Sequence, residues 1–294
     1  MILTSKDISK VFDGKLILDN INFTLKTGEI TGLVGRNGSG KTTLLKILSK
    51  ILDPISGTVL VDDVDLFKNP KLIENIAYLP DRFDFFIYDT GNKAMDYYEI
   101  IYPKFNRKFV EEEAKKINIP LDQTIRSLSK GQSTLLGLLI ILGTKANILL
   151  IDEALDGMDV INKELVLQYL IVAAENDHAI LISSHQLDEL QGIADNILYL
   201  SIDGKVENIK DNRDKPLNKV QIVVSESIPE EILKDSLLRF QLGRVYTVLM
   251  EGPEEEILHK LIRKEIVQFD ILPLKLEDYF YWEKEKENIK WKIL

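Results

Sequence analysis

Eight consecutive residues, Gly35-Arg36-Asn37-Gly38-Ser39-Gly40-Lys41-Thr42, match the spacing G-x-x-x-x-G-K-[ST]. The glycines let the backbone curl so that successive N–H groups point inward, and a helix beginning there adds its positive end. Such a loop suits phosphate oxygens: Lys41 is expected to neutralise the β- and γ-phosphates of a nucleoside triphosphate, the Thr42 hydroxyl to ligate Mg²⁺, and Thr43 to continue the same turn. Leu149-Leu150-Ile151-Asp152-Glu153 is an apolar run ending in two acids, which a strand would deliver to the carboxyl edge of a sheet, where α/β proteins bind ligands. There Asp152 is expected to hold the Mg²⁺ or its waters, and Glu153 to orient and deprotonate an attacking water. Leu128-Ser129-Lys130-Gly131-Gln132 precedes the apolar stretch from Leu135 to Leu142, so its Ser and Gly should open a helix and make a second anion site. Ile180-Leu181-Ile182-Ser183-Ser184-His185 ends a further apolar run on one of only three histidines.

The elements that must carry these groups follow from periodicity. To about Leu25 the chain alternates apolar and polar residues around turns such as Asp13-Gly14, which predicts an antiparallel β portion. A buried strand over Glu29 to Val34 runs into the glycine loop, and Thr42 to Leu52 has helical spacing, as do Lys93 to Ile101 and Arg107 to Ile117. Ile148 to Ile151 and Ala179 to Ser183 read as central parallel strands covered on both faces. A polar stretch from Asp203 to Pro216 marks a boundary. Beyond it the sequence predicts strands over Val220 to Val224, Val245 to Met250 and Ile266 to Leu272 and a helix over Glu254 to Arg263, a small α+β unit. The expected organisation is an α/β domain over 1–210, with a helical portion at about 82–135, and an accessory domain over 211–294.

The turn Leu128-Ser129-Lys130-Gly131-Gln132, upstream of the strand-end acids and downstream of the glycine loop, resembles the signature motif of ABC ATPases, and the resemblance spans Met1 to about Gly204. It implies a P-loop NTPase core with an antiparallel β subdomain and a helical subdomain. It also implies a head-to-tail dimer in which Ser129 and Gly131 contact the γ-phosphate bound at Lys41 of the other copy. His185 then stands in the switch position facing that phosphate, and Asp156-Gly157-Met158-Asp159 in the D-loop that meets the other subunit, with Met158 replacing the usual leucine. Phe12 occupies the place of the aromatic that stacks on adenine, and could equally serve the core. Asp81 stands where the family has a glutamine that reaches Mg²⁺, supplying a shorter oxygen donor. Ala154-Leu155 replaces the usual Pro-Thr after the acids. The aromatics Phe83, Phe85, Phe86, Tyr88, Tyr97, Tyr98, Tyr102 and Phe105 fall where the family forms its groove for a membrane partner, while helical spacing assigns more than half of them to the core.

The bulk composition limits the alternatives. With 45% hydrophobic and 29% charged residues and no long apolar window, the chain is expected not to span a membrane. Zero cysteines remove disulfides and thiol catalysis, and no export signal is evident at the amino terminus, so a cytoplasmic location is expected, to which the resemblance adds a peripheral place on the inner face of the cell membrane. A net charge of -10 argues against nucleic acid as a partner. That counts against a soluble relative acting on ribosomes or nucleic acid, and the presence of both Glu153 and His185 counts against a purely regulatory subunit. The resemblance thus implies ATP and Mg²⁺ as cofactors, integral membrane permease subunits on separate chains, and a homodimer or a heterodimer with a second ATPase. Leu276-Glu277-Asp278-Tyr279-Phe280 resembles the ending of bacterial drug and antimicrobial-peptide exporter ATPases, though two acids also suit an ordinary helix start. Export of an amphipathic peptide, toxin or drug is the expectation.

Overall fold

The computed structural model describes residues 1–186, 189–190, 192–209, 217–274, 278 and 281–282. The chain divides into two compact units, Met1–Ile209 and Lys210–Leu294.

In the first unit, β1 (Ile2–Phe12) and β2 (Lys15–Lys26) form an antiparallel hairpin around Asp13 and Gly14, whose φ angles of 47° and 75° suit an Asp-Gly turn. The strand β3 (Ile30–Val34) leads through the glycine loop into helix α1 (Lys41–Leu48). This helix stops short of the expected Leu52, because the Ser49 hydroxyl donates back to the Leu45 carbonyl and Lys50 turns out of the helix at φ 58°. Strands β4 (Ser56–Val61) and β5 (Val64–Asp65) complete an antiparallel sheet of order β2-β1-β4-β5.

Next come β6 (Ile76–Leu79) and the helices α2 (Gly91–Ile101), α3 (Arg107–Lys116) and α4 (Lys130–Gly143). The unit ends with β7 (Ile148–Ile151), α5 (Val160–Glu175), β8 (Ala179–Ser184), β9 (Asn196–Leu200) and β10 (Val206–Ile209). The main sheet has the order β10-β9-β3-β8-β7-β6, parallel except for β10. Every residue of β3, β7 and β8 is buried, as strands covered on both faces require. Leu3, Ile21, Leu44, Leu48, Ile148 and Leu181 belong to one apolar cluster that joins the antiparallel sheet, α1 and the main sheet. This α/β architecture with an antiparallel β portion and helical elements is the fold class that the sequence predicts.

Of the clustered aromatics, Phe83 and Tyr102 are buried, Phe86, Tyr98 and Phe105 half-buried, and Phe85, Tyr88 and Tyr97 exposed. Ring contacts between Phe83 and Phe86 (centroids 5.4 Å apart) and between Phe86 and Tyr97 (5.5 Å) link α2 to the turn after β6.

The second unit is built on β11 (Leu217–Val224), α6 (Glu230–Lys234), β12 (Ser236–Leu242), β13 (Val245–Glu251), α7 (Glu254–Leu261) and β14 (Ile266–Leu272). Its antiparallel sheet runs β12-β13-β11-β14, and Val220, Ile222 and Val248 pack with Ile232 of α6 and with Ile257 and Leu261 of α7. Leu217 and Leu249 cluster with Trp282. The edge strand β12 and the short α6 are additions to the sequence reading. Within the ending Leu276 to Phe280 only Asp278 is among the described residues; its buried carboxylate accepts from Lys219 Nζ at 2.9 Å and from Arg239 Nε at 3.2 Å. Among the described residues, no helix is long and apolar enough to cross a membrane.

Candidate functional site

The glycine loop closes tightly at its first residue. A Cβ on Gly35 would stand 2.5 Å from the Leu200 carbonyl oxygen and 2.6 Å from Ser39 Oγ, so no larger residue fits. Gly40, at φ 104°, is the N-cap of α1, and no side chain caps that helix start. Its first N–H groups are therefore left for a ligand with acceptor oxygens, and the helix dipole favours an anionic one.

Lys41 is only 4% exposed. Its Nζ donates to the Gly35 carbonyl at 2.8 Å and forms an ion pair with Glu153 Oε1 at 3.0 Å. Phe12, Ile17, Asn37, Gly38, Gly40, Lys41, Thr42, Thr43 and Glu153 together line a cavity of about 400 Å³. Phe12 is 42% exposed at its rim, with Lys10 Nζ 5.1 Å from the ring centroid, which places the ring at the cavity and outside the core. Arg36 is exposed, while Ser39 is buried inside the loop.

Register brings the two acids to the same edge. With Leu79 opposite Ile151 and Ile151 opposite Ile182, β6 and β7 end level with one another, while β8 runs on through Ser183 and Ser184. Asp152, 2% exposed, donates its backbone N–H to the Leu79 carbonyl at 2.8 Å. Its carboxylate accepts from Ser183 Oγ on one oxygen at 2.7 Å and from the Tyr78 hydroxyl on the other at 3.2 Å. Burial first, and then the neighbouring Asp152 and Asp81 charges, push the Tyr78 hydroxyl far above its ordinary range, so it stays a donor. Neither Tyr78 nor Ser183 carries a role in the sequence reading, because what they do depends on strand register.

The turn at 128–132 is a helix start of defined geometry. Ser129 is the N-cap of α4, its Oγ accepting from the Gln132 N–H at 3.2 Å while Gln132 Oε1 accepts from the Ser129 N–H at 3.1 Å. The Ser129 hydroxyl proton stays free to donate, and Ser129 is exposed. Leu128 is half-buried and Gly131 buried, and Lys130 Nζ lies 3.5 Å from Asp81 Oδ1 and 3.9 Å from Asp156 Oδ2. The carboxylate of Asp81 is thus turned toward Lys130. Next to it, Gly157 adopts φ 64°, Met158 is buried, and Asp159 is the N-cap of α5, accepting from the Asn162 N–H at 3.0 Å. His185 Nε2 lies 3.9 Å from Asp156 Oδ1.

Ser39 Oγ and His185 Nδ1 are two of the five buried side-chain polar atoms found without a hydrogen-bond partner among the described residues. Polar groups are seldom buried unpaired unless a ligand or water completes them. No cluster of three or more acidic, histidine or cysteine side chains that could hold a metal occurs among the described residues. The Thr42 hydroxyl in the cavity wall and the Asp152 carboxylate at the sheet edge are hard oxygens, the donor type that Mg²⁺ prefers.

Comparison with known proteins follows the same lines. The family model described as ABC transporter matches residues 18–156. The ABC transporter ATP-binding protein YtrB of Bacillus subtilis (strain 168) is 33% identical over 279 residues, covering 94% of this chain and 95% of that protein. The spermidine/putrescine import ATP-binding protein PotA of Spiroplasma citri is 27% identical over 320 aligned positions, covering 100% and 87%. A solved ATP-binding subunit of an ABC transporter superposes with a TM-score of 0.65 at 20% identity, over 73% of this chain and 92% of that one, a likeness of fold. Matched to YtrB along nearly the whole of both chains, this protein belongs to the ATP-binding subunits of the ABC transporter family.

Proposed function

We propose that the chain binds MgATP in the loop at 35–42 and hydrolyses it as a dimer, driving permease subunits on separate membrane chains from the cytoplasmic face. The observation that carries this reading is the cavity where the phosphate loop meets Glu153, with Lys41 Nζ and Glu153 Oε1 3.0 Å apart. Lys41 and the uncapped start of α1 bind the β- and γ-phosphates, Arg36, Asn37, Gly38 and Ser39 complete the loop, and Phe12 stacks on the base. Thr42 and Asp152 hold the Mg²⁺, which offsets phosphate charge when bound. Glu153 takes a proton from the attacking water, and His185 supports the charge that develops on the γ-phosphate. The exposed start of α4, with Ser129 and the backbone at Lys130 and Gly131, serves the nucleotide of the other copy, and residues 156–159 form the contact beside it. Asp81 acts through its pairing with Lys130 and not as a metal ligand.

The ending at 276–280 supports export as the direction, whereas the polyamine relative is named an importer. Uptake of labelled drug or peptide into inside-out vesicles bearing the complex is expected, and its absence alongside uptake into right-side-out vesicles would reverse the direction. Glu153→Gln is expected to reduce steady-state ATP hydrolysis by roughly a hundredfold or more while ATP binding persists, giving an ATP-dependent dimer by size-exclusion chromatography. Undiminished hydrolysis would remove Glu153 from the role.

A further inference from the structure

We propose that Ser183 positions both acids of the site, through one hydroxyl that fixes the Asp152 carboxylate and the backbone presenting Glu153. The inference rests on the ATPase reading above and adds to it a residue that none of its motifs assigns. Ser183 belongs to β8, and the pairing of Ile151 with Ile182 sets it beside Asp152, just past the end of β7. Its side chain is 1% exposed. Its Oγ donates to Asp152 Oδ1 at 2.7 Å and accepts from the Glu153 N–H at 3.0 Å.

The direction of these two bonds is dictated by chemistry. An ionised carboxylate only accepts, so the single hydroxyl proton goes to Asp152 and an oxygen lone pair remains for the Glu153 N–H. Asp152 has other supports, in the Tyr78 hydroxyl and its own N–H bond to Leu79. Glu153 has fewer. It sits at φ 44°, a left-handed conformation that residues with side chains rarely adopt, and the Ser183 oxygen holds its N–H there. With the backbone so fixed, the side chain leaves β7 in the direction that meets Lys41. A single hydroxyl therefore ties the orientation of the metal-holding acid to that of the acid facing water.

The test compares full-length Ser183→Ala and Ser183→Thr with the parent, measuring the affinity of a fluorescent ATP analogue in EDTA and in Mg²⁺, together with the kcat for ATP and thermal melting. Removing the hydroxyl is expected to leave metal-free affinity within about twofold, while the Mg²⁺-dependent gain in affinity and kcat each fall by roughly 10- to 100-fold, the usual effect of losing a partner that orients a metal ligand. Ser183→Thr restores the hydroxyl, and both quantities should return to within about threefold of the parent. Parental Mg²⁺ dependence and kcat in Ser183→Ala would overturn the proposal. So would a loss of metal-free affinity equal to the other losses, which would make Ser183 a folding residue. Failure of the parent to bind ATP, or unaltered binding in Lys41→Ala, would instead overturn the ATPase reading.

Discussion

Lys41 shows how one side chain can be held ready by its own backbone. The ammonium is nearly out of solvent, yet it meets the Gly35 carbonyl at 2.8 Å and the Glu153 carboxylate at 3.0 Å, so no charge is buried alone. Substituting Lys41→Ala removes the cation that would meet the triphosphate and leaves Glu153 without its partner. A loss of about 2–4 kcal/mol in ATP binding is expected, to be read by titration with a fluorescent analogue, and unchanged affinity would place the nucleotide elsewhere. The loop that carries Lys41 is legible in the sequence, since its spacing encodes a local conformation. Asp152 and Glu153, at the end of an apolar run, and Ser129, ahead of one, are legible for the same reason. Tyr78 and Ser183 are not, because they reach Asp152 across neighbouring strands whose alignment no local pattern states. Nor does the pattern show that Asp81 faces Lys130, a contact between segments nearly fifty residues apart in sequence.

At the level of elements, the start of α4 is fitted against the start of α5. A Cβ on Gly131 would lie 2.7 Å from Asn162 Nδ2, and that amide already donates to Asp159 Oδ2 at 2.6 Å. A methyl at Gly131 therefore has to displace the side chain that secures the α5 N-cap. Gly131→Ala is expected to cost about 1–3 kcal/mol by crowding, against about 1 kcal/mol for Gln132→Ala, which removes only half of the capping box. Denaturant melts followed by helix circular dichroism would rank the two, and a Gly131→Ala variant as stable as the parent would deny the close approach. The sequence places α4 through Ser129 and the apolar run, but α5 goes unannounced. Apolar residues surround α5 on several sides, with Ile161, Ile171 and Val172 exposed and Val166 and Leu170 buried, so no single stripe marks it. The edge strand β12 is hidden for a related reason: three of its larger apolar residues, Leu238, Phe240 and Leu242, are exposed.

For the whole molecule, each of the two units has an apolar core of its own, and the second is closed by charge as well as by packing. Asp278, 1% exposed, pairs with Lys219 and Arg239. Removing one member of a buried ion group leaves the others uncompensated, so Asp278→Ala is expected to destabilise the second unit by about 3 kcal/mol while ATP affinity in the first stays at the parental level. Calorimetry and nucleotide titration on the same variant check both halves of that expectation, and a loss of ATP affinity equal to the loss of stability would contradict the separation. This gives the acid of the ending at 276–280 a structural duty that resemblance alone does not suggest.

The pairing of Lys41 with Glu153 has a consequence for the cycle on the proposed roles. On those roles, the group meant to attract phosphate and the group meant to take a proton from water share one ion pair. A triphosphate that drew the ammonium onto its own oxygens would, by that act, free the base that is to cleave it.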